Sequence, residues 1–348
     1  MRIAAMVYPR LAHVQRIIGC VKLSEYGEFN LINRLVKMID APPESVLVGI
    51  GDDAAAWKTG GTITLATTDS LVEGVHFKQE YAPWRDVGWK ALAVNVSDIA
   101  AMGGVPQYAL VTLAVPPEST LRPVELIYTG LMDCAHDYGV ALVGGDVVRA
   151  PQVTLSVALI GRAGVDEKGR QRLMRRGAAQ AGDVLAVTGS LGDSAAGLRR
   201  CLSGAPADDP LVRAHLHPRP PLDTAAIAVR LGVQCAIDLS DGLLQDLGHI
   251  CDLTGLGAVI RAEALPLSQP LRTGYPHDAI ELACGGGEDY QLLFAAPAET
   301  IRLLRTLSAV RVTPIGEMEE HVGRRPRVID GSGRDLKIES SGWDQLKG

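Results

Sequence analysis

The sequence predicts a two-domain α/β (α+β) protein, and three observations carry that reading. Its 348 residues exceed what one typical hydrophobic core organises. Short apolar strands alternate with amphipathic or wholly apolar helices along the chain. One pattern, an apolar strand or helix that delivers a carboxylate among hydroxyls or glycines, recurs at six places.

Composition narrows the class. Hydrophobic residues make up 47% and aromatics only 4%, so the cores are built from Ala, Val, Leu and Ile. The net charge is −6 and no basic run is long enough to track a phosphate backbone, which argues against nucleic acid as the main partner. No run of about 18 or more apolar residues offers a membrane span. The six cysteines form neither a Cys-x-x-Cys pair nor a zinc spacing and sit in apolar segments, which suits free thiols in a reducing cytoplasm. Residues 1–26 are only weakly apolar and are broken by Pro9 and Arg10. They read as an extension with no signal-peptide pattern and no assigned role.

Glu28 to Ile39 carries Phe29, Ile32, Leu35, Val36 and Ile39 on one helical stripe, and Pro42-Pro43 ends it. Val46 to Gly51 is a short strand running into Asp52-Asp53, whose adjacent side chains project to opposite sides, so one of the two faces a site; a surface turn is the plain alternative. Thr62 to Ala66 is a strand ending in Thr67-Thr68-Asp69, with Thr67 and Asp69 on one face and Thr68 on the other. Val87 to Met102 is a helix almost without a polar face, closed by Gly103-Gly104. Asn95 and Asp98 stand three apart inside it, and an ionised Asp there is costly unless compensated.

Leu126 to Tyr138 is the next helix, followed by the strand Val140 to Val143 and Gly144-Gly145-Asp146, where two glycines permit close approach of backbone or ligand. After the strand Val153 to Ile160, residues 161–182 read as irregular, basic and Gly-rich, with the domain boundary near Gly161 to Gly164. Asp183 to Gly189 is a strand entering a glycine turn and a helix. Ala205 to Leu222 reads as a loop with His215 and His217 on the surface. Cys235 to Gly242 delivers Asp238 from a strand, with Ser240 as an N-cap and Asp241 in the first helical turn; capping accounts for the last two but not for Asp238. Gly285-Gly286-Gly287 leads through Glu288-Asp289-Tyr290 into the strand Gln291 to Phe294, and glycines there imply close approach.

Asp53, Asp69, Asp98, Asp146, Asp238 and Asp241 would repel one another if gathered, so a cluster makes sense around several hard cations. Oxygen ligands without His or Cys favour Mg²⁺, which substrate phosphates usually complete. The residues therefore suggest a Mg-nucleotide enzyme performing phosphoryl transfer.

Gly27-Glu28-Phe29, Gly49 to Asp53, Thr67-Thr68-Asp69 with His76, Asn95 to Asp98, Gly144-Gly145-Asp146, Gly192 to Gly197, Asp238 to Gly242 and Gly286 to Tyr290 together resemble the thiamine-monophosphate kinase family. That family belongs with the aminoimidazole ribonucleotide synthetase-like ATP-binding proteins. The resemblance implies two α/β domains, residues 27–162 for Mg-ATP binding and dimerisation and 163–348 completing the substrate site, with N-terminal strands pairing across a homodimer. It implies ATP-dependent conversion of thiamine monophosphate to thiamine diphosphate, the last step of that cofactor's synthesis, by direct in-line transfer. By that resemblance Asp53, Thr67, Thr68, Asp69, Asp98, Asp146, Asp238 and Asp241 hold Mg²⁺. Tyr128, Gly145, Asp146, Arg175 and Ser240 meet ATP, and His76, Glu288 and Trp343 meet the thiamine phosphate. No residue is assigned as a general base. The chain departs from the family in its longer N-terminal extension, in Arg175-Arg176-Gly177 where Arg-Ser-Gly is usual, and in the aromatic at Trp343; which arginine meets ATP stays open. The alternatives are another ATP-using member of the superfamily, such as an aminoimidazole ribonucleotide or selenophosphate synthetase, or a non-catalytic nucleotide or metal sensor.

Overall fold

The computed structural model describes residues 23–39, 41–320, 325–339 and 342. Most of the N-terminal extension and Trp343 therefore lie outside the described residues. The helices Leu23–Tyr26 and Glu28–Val36 belong to one compact unit and residues 42–343 to a second. The helix expected to reach Ile39 closes at Val36 and passes into a turn.

The strands of the second unit form two sheets. The first runs β1 (Val46–Val48), β2 (Ala55–Thr59), β3 (Thr62–Val72), β6 (Thr154–Val165), β4 (Gly104–Val115), β5 (Ala141–Arg149), with the short β7 (Gln171–Arg172) beside β6. Only β4 and β5 pair in parallel; the other neighbours are antiparallel. The second sheet runs β13 (Pro326–Ile329), β10 (Gly257–Arg261), β12 (Val312–Glu319), β8 (Val184–Thr188), β11 (Leu292–Ala296), β9 (Cys235–Asp238). It is antiparallel except for β10 with β13.

β6 alternates buried and half-buried residues along most of its length, as a strand with one covered face should. The cover is the helix Trp84–Ala101, buried along most of its length, whose Leu92, Val96 and Ile99 pack in one core with Leu65, Leu155, Val157 and Leu159. Gly103, at φ 69°, closes that helix with its N–H on the Ala100 carbonyl, as expected. A second core joins Leu185, Val187, Ile237 and Leu293 to Leu247 and Ile250 of the helix Leu243–Thr254. A third carries Ala100 and Ala101, at the end of the long helix, onto Ala228, Val229, Leu292 and Phe294. Each half thus has its own sheet, and the long helix touches both.

Several expectations change. β3 does not end before Thr67; its ladder with β6 continues from Thr64 opposite Arg162 to Val72 opposite Thr154, because buried Leu65 and Leu71 keep the same face toward the core. β4 escaped the sequence reading, and β6 continues to Val165 through the segment read as irregular. β5 passes straight through Gly144-Gly145, where a Cβ on Gly145 would come within 1.9 Å of the Val111 carbonyl oxygen, so the neighbouring strand needs that glycine. The expected loop from Ala205 to Leu222 holds the helix Pro210–Leu216, capped by Asp209, whose carboxylate accepts the Leu211 and Val212 N–H groups. Ser240 is not an N-cap: the helix begins at Leu243 after Gly242, and Asp246 reaches back to accept the Asp241 and Gly242 N–H groups. Among the described residues no helix is long and apolar enough to cross a membrane.

Candidate active site

Asp53, Asp98 and Asp238 bring carboxylate oxygens within 4.8 Å of one another. They arrive from the turn before β2, the long helix and the end of β9. Thr67 Oγ1 donates to Asp98 Oδ2 at 2.5 Å, and Ser97 Oγ donates to Asp238 Oδ2 at 2.7 Å. Burial pushes the pKa of Asp98 well above the ordinary carboxylate value, and the charges of Asp69, Asp238 and Asp53 push the same way. Asp238 is raised likewise, by burial first and then by Asp53, against the pull of the Ser97 hydrogen bond. Asp69 is the fourth member: its field acts on both acids, and its backbone N–H donates to Asn95 Oδ1 at 3.1 Å.

Arg176 is the cation of this group. Its Nη2 lies 2.5 Å from Asp53 Oδ1, while Asp53 Oδ2 has no hydrogen-bond partner among the described residues. Burial works against the Arg176 charge, and Asp53, Asp238 and Asp52 outweigh it, so its pKa rises. Asp52 turns to the Arg176 backbone N–H, 3.3 Å from Oδ2, and burial with the Asp53 charge lifts it to about 6.

A second polar group lies at Glu288. Its carboxylate sits 3.0 Å from Lys90 Nζ and 3.3 Å from His215 Nδ1. Burial would raise the Glu288 pKa, but Lys90 and His215 bring it below the usual value, and His76 adds to that pull. His76 Nδ1 accepts the Val72 N–H at 3.0 Å, fixing the turn after β3. Buried Tyr290 stands between the two groups: burial raises its pKa, helped by the charges of Glu288, Asp69, Asp238 and Asp98.

His215 and His217 are therefore not surface residues. His215 is buried, with Ser194 Oγ 3.1 Å from its Nδ1. His217 stacks on Trp89 at 3.8 Å between centroids and lies 3.0 Å from Asp86. The helix Pro210–Leu216 that the sequence reading missed is what turns His215 inward.

The remaining expected residues divide. Thr68 lies opposite Ala158, then Leu110 and Gly144, while Ser70 lies opposite Ser156, Thr112 and Asp146. Thr68 and Asp146 therefore face the side of the sheet away from Thr67 and Asp69. Asp146 is also three strand spacings from Ser70, about 14 Å along the sheet. Its Oδ1 accepts the following Val147 N–H. Asp241 joins Asp246 and His249 in a neighbouring group, with Gln245 Nε2 2.9 Å from its Oδ2. Ser240 offers its carbonyl to the Glu288 N–H at 2.7 Å. Tyr128 packs half-buried against the first core. Arg175 lines a 590 Å³ cavity with Arg172, Arg230 and Gln234, so the two adjacent arginines serve different places.

Lys90, Ser97 and Asp246 escape the sequence reading, and Arg176, one of the two arginines left open for ATP, is the one that stands at the acid cluster. Lys90 and Ser97 share the apolar stretch that singled out Asp98, and a polar residue in such a stretch was the available signal.

Comparison with known proteins agrees with this architecture. The family described as AIR synthase related protein, N-terminal domain, matches residues 51–163, and its C-terminal counterpart matches 180–329. The fold and buried acids thus define a member of the AIR synthase related class. A HypE–HypF complex with TM-score 0.71 at 16% identity shares that fold. The thiamine-monophosphate kinase of Aquifex aeolicus is 36% identical over 330 residues, covering 93% of this chain and 99% of the relative. That of Mycobacterium tuberculosis H37Rv is 36% identical over 94% of this chain and 92% of its own length. The structure of AaThiL complexed with AMPPCP and TMP aligns with TM-score 0.81 at 35% identity, covering 93% of this chain and 99% of that one. The chain belongs to the thiamine-monophosphate kinase family.

Proposed function

We propose that the protein transfers the γ-phosphoryl group of ATP to the phosphate of thiamine monophosphate, giving thiamine diphosphate and ADP. The observation that carries this reading is the convergence of Asp53, Asp98 and Asp238 from both halves, beside Asp69, in a chain of this family. The donor set fits Mg²⁺: it is all oxygen, and Asp53 Oδ2 is buried without a hydrogen-bond partner. Asp53, Asp69, Asp98 and Asp238, with Thr67, would hold the ions. When bound, Mg²⁺ would neutralise the phosphates and align them for in-line displacement. Thr68 and Asp146, which face the other side of the sheet, and Asp241, which groups with Asp246, stand apart from this trio and have only resemblance behind them as ligands.

The acceptor phosphate is already a nucleophile, so the chain's task is orientation. Glu288 and His76 would hold the acceptor, with Trp343 assigned by resemblance. Arg175, Tyr128, Gly145, Asp146 and Ser240 are kept as ATP contacts on resemblance alone, while Arg176 is the arginine that stands at the acid cluster. A second copy of the chain would cover the exposed apolar side chains Tyr108, Leu110 and Val148 on one face of β4 and β5, giving a homodimer. The reading requires neither nucleic acid nor membrane, and the buried free thiols suit the cytoplasm.

The test is incubation with ATP, Mg²⁺ and thiamine monophosphate against a panel of other phosphates. Equimolar ADP and thiamine diphosphate support the proposal. ADP release that ignores the thiamine acceptor, or no turnover, refutes it.

A further inference from the structure

Glu288 is held from more directions than a surface acid needs. Its φ is +66°, in the left-handed region that a residue with a Cβ rarely adopts, and Tyr290 two positions on has φ +48°. The backbone is pinned on both sides. The Glu288 N–H donates to the Ser240 carbonyl, and the Asp289 carboxylate accepts the Gly192 and Ser194 N–H groups at 2.6 and 3.1 Å. A Cβ on Gly287 would lie 2.6 Å from the Ser240 carbonyl oxygen, so nothing larger fits behind the turn.

The carboxylate is flanked by two buried basic groups, and Lys90 Nζ pairs with it as a charge without a hydrogen bond among the described residues. Lys90 approaches one oxygen from the long helix of the first half, and His215 approaches the other from Pro210–Leu216 of the second. The Lys90 side chain is 4% exposed and that of His215 2%, whereas Glu288 keeps 27% of its side chain open. Ser194 Oγ, on the helix whose start Asp289 pins, stands against the same His215 nitrogen. A lysine buried in an otherwise apolar helix is unfavourable unless paired, and an apolar residue would pack there more stably. Its presence is explained by what it does to Glu288. It draws the carboxylate to the buried side while 27% of the Glu288 side chain stays exposed, and it cancels a negative charge that would otherwise repel an incoming phosphate.

We propose that Lys90 and His215 are positioning residues for the phosphate acceptor: they hold the Glu288 carboxylate so that it accepts hydrogen bonds from the exocyclic amine on the aminopyrimidine ring of thiamine monophosphate. This rests on the kinase reading above and deepens its acceptor end. The Ser194 hydroxyl belongs to the same clamp through His215. Neither Lys90 nor His215 touches the reacting phosphates, and both act through Glu288.

The test is steady-state kinetics with ATP and thiamine monophosphate varied separately, on His215→Gln, Lys90→Met, Lys90→Arg, Glu288→Gln and the double variants with Glu288→Gln. Thermal melts identify the variants that are folded. The clamp requires His215→Gln and Lys90→Met to raise KM for thiamine monophosphate by up to about 100-fold, the scale of a displaced binding group, with KM for ATP unchanged. It also requires neither to add to the effect of Glu288→Gln, because both act through that carboxylate. Lys90→Arg, keeping the charge, should recover much of the loss. Effects that multiply in the double variants, or that fall equally on ATP, overturn the proposal, as does a Glu288→Gln variant with wild-type KM for the acceptor. Should Lys90→Met not fold, His215→Gln and its double variant decide the matter alone. Failure of the kinase reading looks different, since wild type would then form no thiamine diphosphate.

Discussion

Ser97 Oγ donates to Asp238 Oδ2 at 2.7 Å, joining the long helix of the first half to β9 of the second across 141 positions of sequence. Both residues are buried, so this bond carries the acid that would otherwise be the most isolated of the trio. Replacing Ser97 by Ala leaves a buried carboxylate short of a donor and should cost about 1–3 kcal/mol. Melting with and without Mg²⁺ checks this: the loss should be larger without the ion, and an unchanged melting temperature in both conditions contradicts it.

Arg176 Nη2 lies 2.5 Å from Oδ1 of buried Asp53, a carboxylate that the proposed Mg²⁺ site also uses. Removing one partner of a buried pair costs about 3–5 kcal/mol. Arg176→Ser should therefore lower the melting temperature clearly without Mg²⁺ and much less with it. An equal drop in both conditions would mean that the arginine is structural only.

Asp69→Asn should reduce Mg²⁺-dependent turnover by at least about 100-fold, the scale of losing one strong electrostatic group, while the circular dichroism spectrum stays that of wild type. A variant turning over at the normal rate would remove Asp69 from the site.

Stability should depend on pH through two groups outside the metal cluster. Burial, aided by the Lys90 charge, lowers the pKa of His215 from 6.5 to about 3. The folded state thus binds fewer protons there than the unfolded chain, and this contribution, present above 6.5, is lost as pH falls toward 3. Burial raises Asp289 from 3.8 to about 7, the opposite case: its contribution is present below about 4 and is lost as pH rises through about 7. Melting curves across this range should flatten on the acid side in His215→Gln and on the neutral side in Asp289→Asn. Unchanged slopes would contradict both assignments.

The uncovered face of β4 and β5 predicts the assembly state. Leu110 and Val148 share that face and are 42% and 41% exposed, so Val148→Lys should place a charge in the pairing surface. Light scattering should report a dimer for wild type and a monomer for the variant; a wild-type monomer would end the dimer proposal.

Local chemistry made much of this legible. Asp98 and Asp238 stand in segments too apolar to tolerate a charge without purpose, and both reach the cluster. The alternation of Thr67, Thr68 and Asp69 foretold which share a face, because side chains in a strand point to alternate sides. Where the polar residues of the loop between Ala205 and Leu222 were read as surface, the error came from composition: Asp209-Pro210 signals a helix start, and burial of His215 depends on partners more than seventy residues away.

The residues alone determined that acids at strand and helix positions must be paired, hydrogen-bonded or bound to a cation, since an uncompensated carboxylate in apolar surroundings is too costly to keep. Only the tertiary structure decided which acids stand together: Asp53, Asp98 and Asp238 do, Asp241 sides with Asp246, and Asp146 faces the other side of its sheet. Strand register and helix packing set those distances, and neither is written in the spacing of residues along the chain.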